Sequence, residues 1–284
     1  MSTDYQQARA ALGVRLRELR LACPDGRLTG TQLAELLGWP RTKVSKLENG
    51  RQAATPEDLR AWAGATGQPE LEGELQARLK GFESHIRSFR RQLTAGYRPV
   101  QETWNSEIAK SRAVQAWEGT VVAGMLQTAD YARHVLIRYA DLHQNPHRDI
   151  DDAVRARIQR QQWLYQPGKA FHIILWEAAL HALVCPPSVL AAQLDRLAGA
   201  IGLDTLTLGI IPFGASLKIS CADGFLILDD RVAITEDWHA ELWLDDADTV
   251  ATYRRVWDML GESAVYGADA HNVINNARRS LAAG

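Results

Sequence analysis

The 284-residue chain is poor in cysteine, and its three (Cys23, Cys185, Cys221) are odd in number and show no CxxC spacing. That pattern excludes a disulfide scaffold and a cysteine-based metal knuckle, and it points to a reducing cytoplasm. Long apolar runs are missing too. The most apolar stretch, residues 170–192, is broken by His172, Glu177, His181 and two prolines, so no membrane span is expected. Met1 to Ala11 is polar and lacks a signal-peptide core. The chain contains no GxSxG, no P-loop and no GxGxxG. His143-x₃-His147 has a zinc-like interval, with Asp141 and Asp149 nearby, but Pro146 interrupts it and no second ligand pair follows. Asp245, Asp246 and Asp248 lie at a helix start, where the dipole accounts for them. Neither a metal nor a cofactor is expected, and these absences read as a chain that is not an enzyme.

What is present is an uneven distribution of charge. The net charge is −2, yet residues 1–60 hold 10 Arg/Lys against 7 Asp/Glu, so the remainder carries −5. A mildly basic head on an acidic body suits a nucleic-acid-binding N-terminus. With 46% apolar and 23% charged residues, the chain is globular and long enough for two domains.

The most informative stretch is Leu28 to Gly50, LTGTQLAELLGWPRTKVSKLENG. Thr29 is placed to N-cap a helix whose Leu33, Leu36 and Leu37 share an apolar face. Gly38 suits the left-handed residue that ends it, and Pro40 suits the opening turn of the next helix. In that second helix Val44 and Leu47 face inward, while Arg41, Thr42, Ser45 and Lys46 occupy the opposite arc. This is the layout of a DNA-binding helix-turn-helix, alongside the plainer possibility of a helical hairpin. Before it, Gln6 to Ala22 reads as a helix with Leu12, Leu16 and Leu19 inward; after it, Thr55-Pro56 opens another, with Leu59, Trp62 and Ala63 closing a small bundle.

Leu33-Ala34, Gly38, Val44-Ser45 and Leu47-Glu48-Asn49-Gly50 resemble the pattern of the Cro/phage-repressor (XRE) class of regulators. The resemblance implies that Arg41, Thr42, Ser45 and Lys46 read base edges and that Thr29, Gly30, Lys43, Arg51 and Gln52 hold phosphates of double-stranded DNA. Gly30 stands where many such proteins have a phosphate-contacting Gln, leaving its backbone N–H for that contact. The resemblance also implies an ion pair between Glu48 and an arginine of the first helix, and Arg20 is the match.

Beyond Gly67-Gln68-Pro69, the apolar positions Leu71, Leu75, Leu79, Phe82, Ile86, Phe89 and Leu93 repeat like a coiled-coil seam. They predict one long connecting helix over residues 68–95, serving either a dimer or its own second domain. Gly96 onward alternates helical and β-rich segments. Strands are expected at Ala113–Glu118, Ala170–Trp176, Leu206–Ile211, Gly224–Leu228, Arg231–Thr235 and Ala240–Leu244. Helices are expected at residues 100–110, 128–140, 149–164, 189–200, 247–260 and 268–281. Nine tryptophans are many, and Trp104, Trp117, Trp176, Trp238 and Trp243 are either core residues or walls of a small-ligand pocket.

Trp117-Glu118, Gly124-Met125-Leu126-Gln127-Thr128, Tyr131-Ala132, Arg155 to Gln162, Ile211-Pro212-Phe213 and Tyr253-Arg254-Arg255 resemble the C-terminal domain of actinobacterial helix-turn-helix regulators, some described as antitoxin-like. The expected whole is α+β. An all-α helix-turn-helix domain occupies residues 1–67 and a connecting helix 68–95. An α/β domain at 96–284 has a mixed sheet flanked by helices. The expected function is a dimeric regulator on a palindromic operator, with a small protein or small molecule as its signal. The alternatives are an enzyme that retains the helix-turn-helix and an adaptor for a small partner protein.

Overall fold

The computed structural model describes the backbone of residues 4–145, 149–245 and 247–283, with side chains described outside 4–8, 80–86, 90–91 and 282–283. It divides into two units, residues 1–86 and 87–284.

In the first unit, leucines at helical spacing build five helices around one core: α1 (Asp4–Leu21), α2 (Gly30–Leu37), α3 (Arg41–Glu48), α4 (Pro56–Ala65) and α5 (Glu72–His85). Leu12, Leu16 and Leu19 of α1 meet Leu33, Val44, Leu47, Leu59 and Trp62, and Leu75 and Leu79 of α5 close the same cluster. Trp62 Nε1 donates to Leu16 O at 3.1 Å, satisfying the indole inside the core. Glycine sets the approach of α1 to the end of α3. A Cβ on Gly13 would lie 2.6 Å from both Leu47 O and Glu48 O, and Gly50, at φ +61°, lies against the Ala10 backbone.

The second unit is a mixed eight-stranded sheet flanked by helices. Its elements are β1 (Ile86–Ser88), α6 (Phe89–Gln92), α7 (Tyr97–Lys110), β2 (Ala113–Glu118), α8 (Ala129–His143), α9 (Ile150–Gln159), β3 (Ala170–Trp176), α10 (Ala178–His181) and α11 (Pro187–Ala200). They continue with β4 (Leu206–Ile211), β5 (Phe225–Leu228), β6 (Val232–Glu236), β7 (Ala240–Leu244), α12 (Ala247–Gly261), β8 (Val265–Tyr266) and α13 (Gly267–Ala283). The strand order is β1-β7-β6-β5-β2-β3-β4-β8, with β2, β3 and β4 parallel and the strands from β2 through β5 and β6 to β7 antiparallel. Alternation along each strand splits the apolar residues into two cores. Val114, Ala116, Ile173, Leu228 and Ile234 pack on one face with residues of α7, α8, α11 and α13. Trp117, Ile174, Phe225 and Ile227 pack on the other with Val250, Trp257 and Leu260 of α12. The α7 ends are held by distant polar groups. The Asp149 carboxylate accepts from Tyr97 N and Arg98 N at 2.8 Å each, and Lys169 Nζ donates to the carbonyls of Ile108, Ala109 and Ser111.

The α+β architecture and the strand positions agree with the sequence reading, but the connecting helix is not continuous. A 3₁₀ turn at Pro69–Leu71 precedes α5, and β1 then takes the chain as an edge strand beside β7, with Phe89 N donating to His239 O at 2.8 Å. Pairing with a sheet overrides the helical period. The expected seam is divided accordingly: Leu75 and Leu79 are buried in the first unit, Phe89 and Leu93 in the second, and the side chains of Phe82 and Ile86 lie outside the described residues. The helix expected over 149–164 ends at Gln159 and continues as a 3₁₀ segment, Arg160–Tyr165. Leu36, expected on the apolar face of α2, is 63% exposed, because the core takes the arc of Leu33, Ala34 and Leu37.

Candidate nucleic-acid interface and buried cavity

Local chemistry shapes α2 and α3. Thr29 and Gln32 form a reciprocal capping box, with Gln32 N donating to Thr29 Oγ1 at 3.2 Å and Thr29 N to Gln32 Oε1 at 2.8 Å. Gly38, at φ +64°, turns the chain, and Pro40 caps α3 in an extended conformation. At about 100° per residue, Arg41, Ser45, Thr42 and Lys46 fall within an arc of about 140°. All four are exposed, while Val44 and Leu47 behind them are buried. Arg51 is exposed beyond Gly50, Gln52 is half-buried, and Thr29 and Gly30 open α2.

Lys43 stands apart from these. Its Nζ lies 2.6 Å from Asp58 Oδ1 and 3.8 Å from the centre of the Trp39 ring, so its charge is already engaged within the unit. Behind α3, Arg20 and Glu48 make a two-point pair: Nε donates to Oε1 at 2.5 Å and Nη2 to Oε2 at 2.9 Å. Arg20 Nη1 also donates to Leu28 O at 2.6 Å, and the two side chains are 9% and 11% exposed. The pair joins α1, the turn before α2 and the end of α3.

The second unit holds a partly open cavity of about 140 Å³ between the sheet face of β2, β5, β6 and β7 and the helices α7, α8 and α9. Its walls mix apolar side chains with an unusual set of ionisable ones: Glu118, Glu236, Glu241, Arg157 and Arg160. Arg157 Nε and Nη1 donate to Gln101 Oε1 and Gln127 Oε1 at 3.0 and 2.8 Å. Arg160 Nε and Nη2 donate to Asn105 Oδ1 and Gln101 Oε1 at 2.8 Å each. Glu241 accepts from Trp104 Nε1 and Trp243 Nε1, both at 3.0 Å. Burial, reinforced by the charge of Glu236, pushes the Glu118 carboxyl up to about 8. Desolvation and Glu241 likewise raise Glu236, although that residue is exposed at the end of β6, and desolvation lowers both guanidinium groups.

The five tryptophans do not form one wall. Trp104 lines the cavity, and Trp243 packs against it at a tilt, with ring centres 5.5 Å apart. Trp117 belongs to the opposite sheet face, where its Nε1 donates to Ala222 O, and Trp176 packs on Phe213. Trp238 is 75% exposed. The two-residue alternation of β2 sends Trp117 one way and Glu118 the other. His143 closes α8 and lines the cavity with Nε2 buried and unpartnered, while His147 and Asp246 lie outside the described residues. Among the described residues no group of His, Cys, Asp and Glu is arranged to hold a metal ion, and no helix is long and apolar enough to cross a membrane.

The sequence reading missed the ionisable set of the cavity, although a signal for part of it was present. The stretches Trp117-Glu118, Gly124 to Thr128 and Arg155 to Gln162, noted for their resemblance to other regulators, supply Glu118, Gly124, Met125, Gln127, Arg157 and Arg160 to this one cavity.

Comparison with known proteins fits this division. A family described as "Domain of unknown function (DUF5753)" matches residues 105–276, and one described as "Helix-turn-helix domain" matches residues 11–75. Comparison with curated proteins gave no match. Among solved structures, NucT from Helicobacter pylori is 14% identical, with 64% of this chain and 97% of that one covered at a TM-score of 0.35. Nuc from Salmonella typhimurium, a phospholipase D family member, is 10% identical, with 64% and 95% covered at 0.37. The archaeal chromatin protein TrmBL2 is 16% identical, with 84% and 88% covered at 0.31. The expectation that the chain is not an enzyme is corrected by the first two of these matches, and that exclusion is withdrawn. At these TM-scores the likenesses assign no activity.

Proposed function

The chain belongs to the DUF5753 family, and from that premise we propose that its helix-turn-helix unit binds a two-fold symmetric DNA site as a dimer while its second unit receives a signal. The observation that carries this reading is the outer arc of α3, where Arg41, Thr42, Ser45 and Lys46 are all exposed over a buried Val44 and Leu47. Arg41 stands in the first turn, where a guanidinium meets guanine O6 and N7 together. Lys46 reaches a second base, Thr42 meets a thymine methyl, and Ser45 assists. Arg51 and Gln52, past the helix end, hold phosphate. So do the opening N–H groups of α2 at Gly30 and the Thr29 hydroxyl, which accepts from Gln32 N and keeps its own proton to donate. Lys43 is left out of this set because Asp58 holds it.

One such unit covers too little DNA for tight binding, hence the dimer, with half-sites about one helical turn apart or a multiple of it. For the signal, the cavity favours a small molecule over a small protein. The test is footprinting with single-base variants of the site. Arg41→Ala is expected to weaken binding by roughly 1–3 kcal/mol and to relax preference at one base pair. A monomer with a one-sided footprint, or an Arg41→Ala that weakens every sequence equally, would overturn the reading.

A further inference from the structure

Glu118, Glu236 and Glu241 come from three strands and converge because each occupies the cavity-facing position in its strand's alternation. Glu236 and Glu241 are direct cross-strand partners. Gly224, just before β5, makes the remaining room: a Cβ there would lie 2.7 Å from Glu118 Oε2. Three carboxylates thus face two guanidinium groups, leaving one negative charge in excess when all are ionised.

The hydrogen-bonding capacity of the walls is equally lopsided. Both guanidinium groups already donate to the amide oxygens of Gln101, Gln127 and Asn105. Glu241 is satisfied by two indoles. No donor among the described residues reaches the carboxylates of Glu118 or Glu236, and the buried His143 Nε2 has no partner either. Among the described residues, then, no charged donor sits on the carboxylates of Glu118 and Glu236. Trp104, Tyr139, Val100 and Leu136 provide the apolar and aromatic surface against which a cation's organic part packs.

We propose that this cavity binds a small organic ammonium compound, its charged head between Glu118 and Glu236 and its apolar part against Trp104. The assignment deepens the reading that the second unit takes the signal, but the binding itself requires no DNA. The raised carboxyl of Glu118 agrees with it, since an ammonium group supplies the countercharge that desolvation denies it. The volume, about 140 Å³, is close to that of an engineered cavity of about 150 Å³ that holds benzene.

The probes are accordingly benzylammonium, benzyl alcohol and benzoate, three compounds of one shape and different charge. Calorimetry and thermal shift on the full chain should show benzylammonium binding at least roughly tenfold more tightly than the other two, as a charge-assisted hydrogen bond predicts. The Glu118→Gln/Glu236→Gln double variant should lose that preference. Gly224→Ala, which keeps every ionisable group but displaces the Glu118 carboxylate, should weaken benzylammonium while benzyl alcohol changes less. Equal binding of the three probes, a preference for benzoate, or no benzylammonium binding at millimolar concentration overturns the assignment. The signal reading is scored separately by operator affinity with and without benzylammonium. Binding that leaves operator affinity unchanged supports the cavity assignment and counts against signal reception. Intact DNA binding with an empty cavity overturns the assignment and leaves the DNA reading standing.

Discussion

The outer arc of α3 and the cavity of the second unit hold charge under opposite conditions. On α3, Arg41 and Lys46 sit in water and wait for phosphate and base edges to meet them. In the cavity, desolvation weighs on Glu118, Arg157 and Arg160; amide oxygens of Gln101, Gln127 and Asn105 hold the two guanidinium groups, and two indoles hold Glu241. Exposed charge adds affinity and burdens stability little. Buried charge burdens stability and is retained where it recognises something. The Arg20–Glu48 pair lies between these cases: nearly buried, yet matched at both oxygens.

That middle case gives the largest expected effect. Glu48→Gln leaves the Arg20 guanidinium without its countercharge in a nearly closed site, at a cost on the order of 3–5 kcal/mol. The full chain should then show lost hydrogen-exchange protection in α1 and α3 while the sheet of the second unit stays protected. Unchanged protection in α3 would place this pair with the weakly coupled surface charges.

Next comes the pH dependence of the second unit. Glu118 is raised from an ordinary 4.5 to about 8, so between those values the folded chain keeps a proton that the unfolded chain has released. Stability therefore falls as pH rises through that window, by up to a few kcal/mol, and Glu236 acts in the same direction. Urea denaturation at about pH 5.5 and about pH 8.5 should show a lower midpoint at the higher pH, and Glu118→Gln should flatten the difference. A midpoint that rises with pH would mean that the guanidinium groups outweigh burial at Glu118.

The smallest effect separates two lysine and arginine positions that look alike in the sequence. Arg51→Ala should weaken all DNA sequences alike and reduce the salt slope by about one, whereas Lys43→Ala, whose charge Asp58 already neutralises, should change the slope by clearly less. Salt titrations of the two variants against one DNA site make the comparison. Equal slopes would show that Lys43 leaves Asp58 when DNA is present.

Much of the first unit is legible residue by residue. A helix repeats every 3.6 residues along one chain segment, so which side chains share a face is a property of local spacing. Thr29, Gly38, Val44 and Leu47 announce their positions in this way, and Leu36 fails only because the core takes a narrower arc than the leucines suggest. Strand positions in the second unit are legible for a similar reason, through β-branched and apolar runs between turns. The short strands β1 and β8 are not, since two or three residues carry no period.

The order of those strands and the contents of the cavity were decided by tertiary structure. Glu118, Arg157, Glu236 and Glu241 are separated by as many as 123 positions in the chain, and no local rule links them. Sheet register puts Glu236 opposite Glu241, Gly224 leaves space beside Glu118, and α9 with the 3₁₀ segment after it turns Arg157 and Arg160 inward, so each carboxylate's neighbours come from other strands and helices. The same holds for the tryptophans, which composition counts together and alternation sends to opposite faces. Sequence by itself determined the helix-turn-helix, its exposed arc and the α+β class, because these follow from short-range periodicity. Which ionisable groups meet inside the second unit followed from long-range pairing, where the free energy of burying a charge depends on residues far away in the chain.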